Sequence, residues 1–249
     1  MSEFVNTTPQ SNLRRSMLCR VQATLGAQFA QYQGSIVVRH YNIQLDEERA
    51  QLKSLAMVDL STLPRSGFKG REAPQWLTDK GVNIPETPNQ AVKQDDGSLV
   101  ARLSMQEHLI LSDLAINASL PAKLEQSWSM QSDVACYSLP RNDSHAWLYL
   151  TGCEVRAMLS KVCGIDLRET EFANLSVAQT SIARINGILI RDDLVVDGSD
   201  ESSSANATIP AFHLLCDSSS VAFVWESMCD AMTEFDGKPV GLAALLNKQ

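Results

Sequence analysis

Cys153 stands at the head of "CEVRAMLSKVCG", directly after Gly152. At a helix start the backbone dipole lowers a thiol's pKa, which would prepare a nucleophile. No base is evident for it, so it reads as structural. Asp95-Asp96 and Asp192-Asp193 are adjacent acids on hairpin segments. Paired carboxylates can divide into acid and base roles, but "DDG" is more simply a turn signal. His108 and His213 fall at what read as corresponding strand starts, and both read as structural. "GFKG" at Gly67 to Gly70 has the G-x-x-G form of an RNA-clamping loop, a weak pattern in a strand-to-helix context.

Beyond these, nothing matches G-x-G-x-x-G, G-x-x-x-x-G-K-[ST] or the G-x-S-x-G elbow. The six cysteines form no C-x-x-C pair and the four histidines are scattered, so metal-ligand spacing is lacking. The sequence assigns no catalytic, cofactor-binding or metal-ligating residue.

The 249 residues are 44% hydrophobic and 20% charged, an ordinary globular balance with room for one large domain or two smaller ones. Net charge is -8, which argues against nucleic-acid binding. No stretch approaches the ~20 apolar residues of a membrane span. The polar start "MSEFVNTTPQSNLRRS" lacks an apolar signal core. Cysteines inside apolar periodic stretches read as reduced thiols, so the expected compartment is the cytoplasm.

Patterning supplies the elements that would hold these groups. Leu13 to Leu25 reads as a short amphipathic helix, "SIVVRHY" as a strand and "LDEERAQLKSLA" as a helix. From Phe68 a sequence of signals runs strand, helix, hairpin, strand, helix: "SGFKG", "APQWLTDKG", "AVKQDDGSLVARL", "HLILS" and "LPAKLEQSW". The same order returns in "HAWLYLTG", "CEVRAMLSKVCG", "TSIARINGILIR", "FHLLC" and "SSSVAFVWESMCDAM". Gly70 matches Gly152 and Leu77 matches Leu159, both 82 residues apart. Asn186-Gly187 predicts a type I′ hairpin turn, Gly164 a left-handed helix stop, and the serines before Val221 a helix cap.

The expected fold class is therefore α+β, two tandem two-layer α/β sandwich units. Residues 1–12 read as a disordered lead, 13–130 as the first unit with its helix and strand, and 131–249 as the second. An acidic, Ser-rich loop at 192–210 interrupts the second unit. Trp147 and Tyr149 share one face of a strand whose other face is also apolar, so that strand needs two covers. The second cover is either the other unit or a partner chain.

Two longer stretches carry a family resemblance. "LAMVDLSTLPRSGFKGREAPQWL" with "IPETPNQAVKQDDGSLVARLSMQEHLILS", and later "LTGCEVRAMLSKVCGIDLRETEF" with "VAQTSIARI", resemble the gamma subunit of heterotetrameric sarcosine oxidase. That family is itself similar to the folate-binding domains of the glycine-cleavage aminomethyltransferase. The resemblance implies a non-catalytic subunit that stabilises a larger flavoprotein subunit. The assembly would demethylate sarcosine oxidatively to glycine and pass the one-carbon unit to tetrahydrofolate. FAD, FMN and NAD would reside in partner subunits, and tetrahydrofolate stays open for this chain.

The sequence departs from the transferase in two ways. No C-terminal β-barrel domain is expected, and the strand after Gly97 lacks the transferase's functional acid. A stand-alone tetrahydrofolate-binding aminomethyltransferase-like protein is the alternative, and a self-associating scaffold a third. Pro64, Arg65, Phe68, Trp147 and Tyr149 are the first places to look for partner contacts, with ordinary core or loop packing as the alternative reading.

Overall fold

Strand pairing shows where each patterned segment goes. A computed structural model describes residues 4–41, 44–115, 119–196 and 207–246. In chain order β1 (Val5–Asn6), α1 (Cys19–Thr24), β2 (Gln28–Tyr32), β3 (Ser35–His40), α2 (Leu45–Ser54) and β4 (Ala56–Asp59) come first. Next are β5 (Arg65–Lys69), α3 (Ala73–Asp79), β6 (Gln90–Lys93), β7 (Leu99–Ser104), β8 (Glu107–Leu111) and α4 (Leu120–Ser127). Then follow β9 (Tyr137–Leu139), α5 (Arg141–Ser144), β10 (His145–Thr151), α6 (Val155–Ser160), β11 (Val177–Ile182) and β12 (Ile185–Arg191). β13 (Leu194–Val196), β14 (Ala207–Ile209), β15 (Ala211–Asp217), α7 (Val221–Thr233), β16 (Lys238–Pro239) and α8 (Leu242–Leu245) complete the described chain.

Two sheets dominate. One has the order β6-β7-β8-β5-β9, the other β11-β12-β15-β10-β4-β16. Alternation along each strand sends side chains to both faces. Phe68, Val100 and Ile110 meet Leu77 of α3 and Leu124 of α4 on the outer face of the five-stranded sheet. Leu148, Leu150 and Phe212 meet Met158 of α6 with Trp225 and Met228 of α7 on the outer face of the six-stranded one. The inner faces pack on each other, with Leu99, Ala101, Leu109 and Leu111 against Trp147, Tyr149, Ile190 and Leu215. The second cover of the Trp147 face is thus this chain's own five-stranded sheet.

The connections cross between sheets. β4 directly precedes β5 in sequence, yet it pairs with β10 in the other sheet. β9 precedes β10, yet it pairs with β5. A cut near residue 130 therefore divides the chain but not the sheets. Both crossings are pinned alike. Gly70 N bonds to Gln106 O and Glu72 N to Ala135 O, while Gly152 N bonds to Pro210 O and Glu154 N to Ser54 O.

Several local readings change. The stretch read as a disordered lead carries β1, whose Val5 and Asn6 pair with Gln31 and Ala30. Phe4 stacks on Tyr32 beside it. The helix expected from Leu13 is confined to Cys19–Thr24, because the Ile36 amide takes the Arg14 carbonyl at 2.7 Å and holds that residue extended. The β11–β12 hairpin turns at Ala183-Arg184, both at positive φ, and not at Asn186-Gly187. β12 is sandwiched between β11 and β15, and Gly187 lies opposite Cys216. Pairing on both sides sets the register, and the local turn preference yields.

Gly164 is not among the positive-φ residues, whereas Gly81 is, at φ 76°. The turn leading into α7 is capped by Asp217, whose side chain accepts from the Ser219 amide at 2.8 Å, and not by a serine. Of the expected 192–210 loop, β13 and β14 pair at its two ends, and residues 197–206 lie outside the described residues. No helix among the described residues is long and apolar enough to cross a membrane.

Candidate functional site

The sheets meet along a seam, and polar groups converge there. β7 contributes Leu103, β8 Glu107, α5 Arg141 and β10 His145, while Gln179 to Ser181 of β11 and Asn186 to Ile188 of β12 close the other side. The cleft they line has a volume of about 420 Å³. Gln179 spans the seam by donating to the Leu103 carbonyl at 2.7 Å.

Charge in the cleft is already paired. Arg141 forms an ion pair with one oxygen of Glu107, and Lys69 reaches the other at 2.9 Å. His145 lies within 3.2 Å of the Arg141 guanidinium, and Ser144 Oγ is 2.8 Å from its Nδ1. Burial first, then the Arg141 and Arg65 guanidiniums, push His145 down to about 4, so it is neutral near pH 7. Glu107 is held by two cations and His145 has little basicity. The cleft can orient a polar ligand, but His145 is not matched to proton transfer at neutral pH.

A second polar chain crosses the inner layer. Trp147 Nε1 donates to His213 Nδ1 at 3.0 Å, and His213 Nε2 lies 3.3 Å from Asp192 Oδ2. Asp192 Oδ1 meets Lys93 of β6 at 2.7 Å. The indole donor makes Nδ1 the acceptor, so Nε2 carries the proton toward Asp192. Burial would raise the Asp192 carboxyl, but His213 and Lys93 outweigh it and hold it below its ordinary value. Asp193 is clamped by Arg191 through bonds of 2.9 and 2.7 Å. The adjacent acids are thus ion-pair partners of different cations. Asp96, in contrast, closes its turn by accepting from the Ser98 amide at 3.0 Å.

The two histidines are not equivalent. His108 pairs with Phe68, and His213 with Tyr149. With Phe68 matching Leu150 at the 82-residue spacing, the partner of Leu150 is Phe212, so His213 is one residue out of step and faces the opposite side of its sheet. His108 is fully buried, with neither ring nitrogen hydrogen-bonded among the described residues. Burial, helped by Arg102, pushes its pKa down to about 4.

A neutral folded-state imidazole makes stability fall with acid. The contribution is complete above the ordinary pKa of about 6.5 and is lost as pH drops toward about 4. That window is worth about 3 kcal/mol for a fully buried ring. In urea titrations between pH 7 and 4, His108→Leu should lose most of that slope and be no less stable at pH 7. An unchanged slope would place the acid sensitivity elsewhere.

Four expected partner contacts are instead interior. Arg65, Phe68, Trp147 and Tyr149 are each at most 1% exposed, covered by this chain, and Pro64 is half-buried. Their apolar or aromatic character served the core, which sequence alone does not separate from an interface. Arg65 is the surprise, since its guanidinium donates to the carbonyls of Ser61, Leu63, Asn142 and His145. Cys153 is exposed, with the Ser54 carbonyl at 3.7 Å and the Glu154 carboxylate at 3.9 Å. Gly67 of the G-x-x-G stretch lies within β5, packed against Arg141. Among the described residues no cluster of His, Cys, Asp and Glu could hold a metal ion. On β7, Ala101 is buried between the sheets, and Arg102 donates to the carbonyls of Pro85, Glu86 and Met105.

No family model matches the chain. An aminomethyltransferase from Thermotoga petrophila is 23% identical over 243 residues, covering 93% of this chain and 62% of the relative. The chain thus spans about three-fifths of the length of the curated relative it matches. Among solved structures, glycine cleavage system aminomethyltransferase T from Bartonella henselae aligns with a TM-score of 0.66 at 15% identity, over 94% of this chain and 61% of that one. Heterotetrameric sarcosine oxidase from Corynebacterium sp. U-96, in complex with pyrrole 2-carboxylate, aligns with a TM-score of 0.61 at 17% identity, over 89% of this chain and 96% of the matched chain. The chain therefore has the fold shared by aminomethyltransferase T and a chain of heterotetrameric sarcosine oxidase.

Proposed function

We propose that this chain is a non-catalytic, gamma-type subunit of a sarcosine oxidase-like complex. Larger flavin-bearing subunits would demethylate the amine and deliver its one-carbon unit to tetrahydrofolate, while this chain stabilises the large subunit. The carrying observation is the state of the seam cleft. Glu107 is locked between Arg141 and Lys69, and His145 is held neutral. The oxidase alignment adds support, because it takes in 96% of the matched oxidase chain. In this reading the chain is a duplicated unit, 13–130 and 131–249, whose halves exchange β4 and β9. The recurring contacts at Gly70 and Gly152 support that duplication. The absence of disulfide pairing at all six cysteines fits the cytoplasm.

The test is purification of the tagged chain from its own host. It should emerge in a large complex carrying flavin. Recovery of the chain alone, binding tetrahydrofolate and transferring methyl groups unaided, would overturn the proposal.

A second reading rests on the 23% match to an aminomethyltransferase and on the polar character of the cleft. It makes the chain a tetrahydrofolate-binding protein in its own right. Calorimetric titration with tetrahydrofolate decides it. Saturable heat that Gln179→Leu abolishes would support this reading, and no heat at millimolar ligand would end it.

A further inference from the structure

A second cavity, of about 160 Å³, lies between the segment before α1 and the start of β10. Arg14, Arg15 and Arg65 line it, together with Ser16, His145 and Ser218. Asp143 is the one acid on its wall, and that side chain is 84% exposed and paired with Arg14 at 3.2 Å. Three guanidiniums against one carboxylate invert the sign of a chain whose net charge is -8.

Arg65 is the central anomaly. It is 1% exposed and, among the described residues, forms no ion pair. Four backbone carbonyls orient its guanidinium, and its Nε has no hydrogen-bond partner among the described residues; Asp59 and Asp143 act on it only at a distance, and burial with the neighbouring Arg14 outweighs them. A buried cation without an acid is costly, and nature ordinarily supplies a counter-charge. Arg15 adds a second cation without an acid partner among the described residues, its Nη1 bonding to the Pro9 carbonyl at 2.8 Å. Arginine forks match the paired oxygens of carboxylate and phosphate groups.

We propose that this cavity is an oxyanion site, which takes a small carboxylate or phosphate group as the counter-charge of Arg65. The site is separate from the function proposed above and stands or falls without it. His145 lines both this cavity and the seam cleft, so a bound anion would sit one side chain away from the cleft.

The test titrates sodium phosphate and, separately, sodium acetate into the full chain near neutral pH, at ionic strength held constant with chloride. Binding is read by amide chemical shifts at Ser16, Ala146 and Ser218. At least one anion should saturate these shifts below roughly 50 mM, a range that fills even a site of ~10 mM affinity. Saturation by phosphate assigns a phosphoryl ligand, and saturation by acetate a carboxylate. Arg15 is exposed and its loss should leave the fold intact. Arg15→Gln should weaken binding about tenfold, the scale of one charge-assisted hydrogen bond. Arg20→Gln, the same charge change outside the cavity wall, should leave it unchanged. No saturation with either anion, or equal weakening by both variants, would overturn the proposal.

Discussion

Gly152→Ala should cost about 4 kcal/mol or more, the range reached only when a backbone or core feature is broken. Gly152 has φ 127°, a conformation that side chains other than glycine's rarely adopt. A Cβ built there lies 2.2 Å from Ser54 O and 2.4 Å from Ser54 C. That carbonyl accepts from the Glu154 amide at 3.1 Å, the bond that leads into α6. Because the obstacle is backbone, relief means moving the end of α2 and the start of β4, and β4 is bonded to β10. Gly70→Ala should behave alike, with its Cβ 1.9 Å from Ala135 O at φ 139°. Gly164→Ala is the control. Nothing lies within 4 Å of its Cβ, and its φ is not positive, so the change should be within ~0.5 kcal/mol of neutral. Denaturant unfolding of the three variants checks this, and a Gly152→Ala loss no larger than that of Gly164→Ala would remove the crossing from the list of stabilising features.

Trp147→Ala should cost about 3–5 kcal/mol, the usual scale for deleting a buried large aromatic. The indole is 0% exposed and sits where the two inner faces meet. Its removal leaves a void between the sheets and strips His213 Nδ1 of its donor. Trp147→Phe keeps a six-membered aromatic ring but loses the N–H and part of the indole's volume. A loss of about 1–3 kcal/mol should remain, from the unmet acceptor at His213 and a smaller void. Unfolding monitored by far-UV circular dichroism reads both. A Trp147→Ala loss under about 1 kcal/mol would mean that the inner layer contributes little cohesion.

These effects bear on what the chain does. In the role proposed above, a subunit that lends shape to a larger assembly needs a rigid body. Here the inner faces of two sheets are closed on each other by apolar side chains and by the Trp147–His213–Asp192–Lys93 chain. The polar seam cleft lies at the margin of that body, with its charged groups already paired. Ligand binding at such a place would depend on hydrogen bonds from Gln179 and its neighbours more than on any titrating group.

Local patterning was enough for the elements whose signal lies within a dozen residues. The stripe of Val221, Val224, Trp225 and Met228 yields α7, the two-sided apolar run yields β10, and the paired glycines 82 residues apart announce the recurring strand-to-helix junction. Folding in three dimensions settled everything that hangs on a partner far along the chain. The hairpin turned at Ala183-Arg184 because β12 is bonded on both edges. β4 and β9 crossed to opposite sheets, and one residue of register put His108 and His213 on opposite faces. Trp147 became interior because the second sheet covered it, and hydrophobic surface does not encode whether its cover will be self or another chain. Arg65 became interior where the Ser61–Leu63 connection and α5 meet it. The seam cleft and the arginine cavity belong to the same class. Their walls join residues up to about 200 positions apart, a proximity that strand pairing creates and that no spacing along the sequence records.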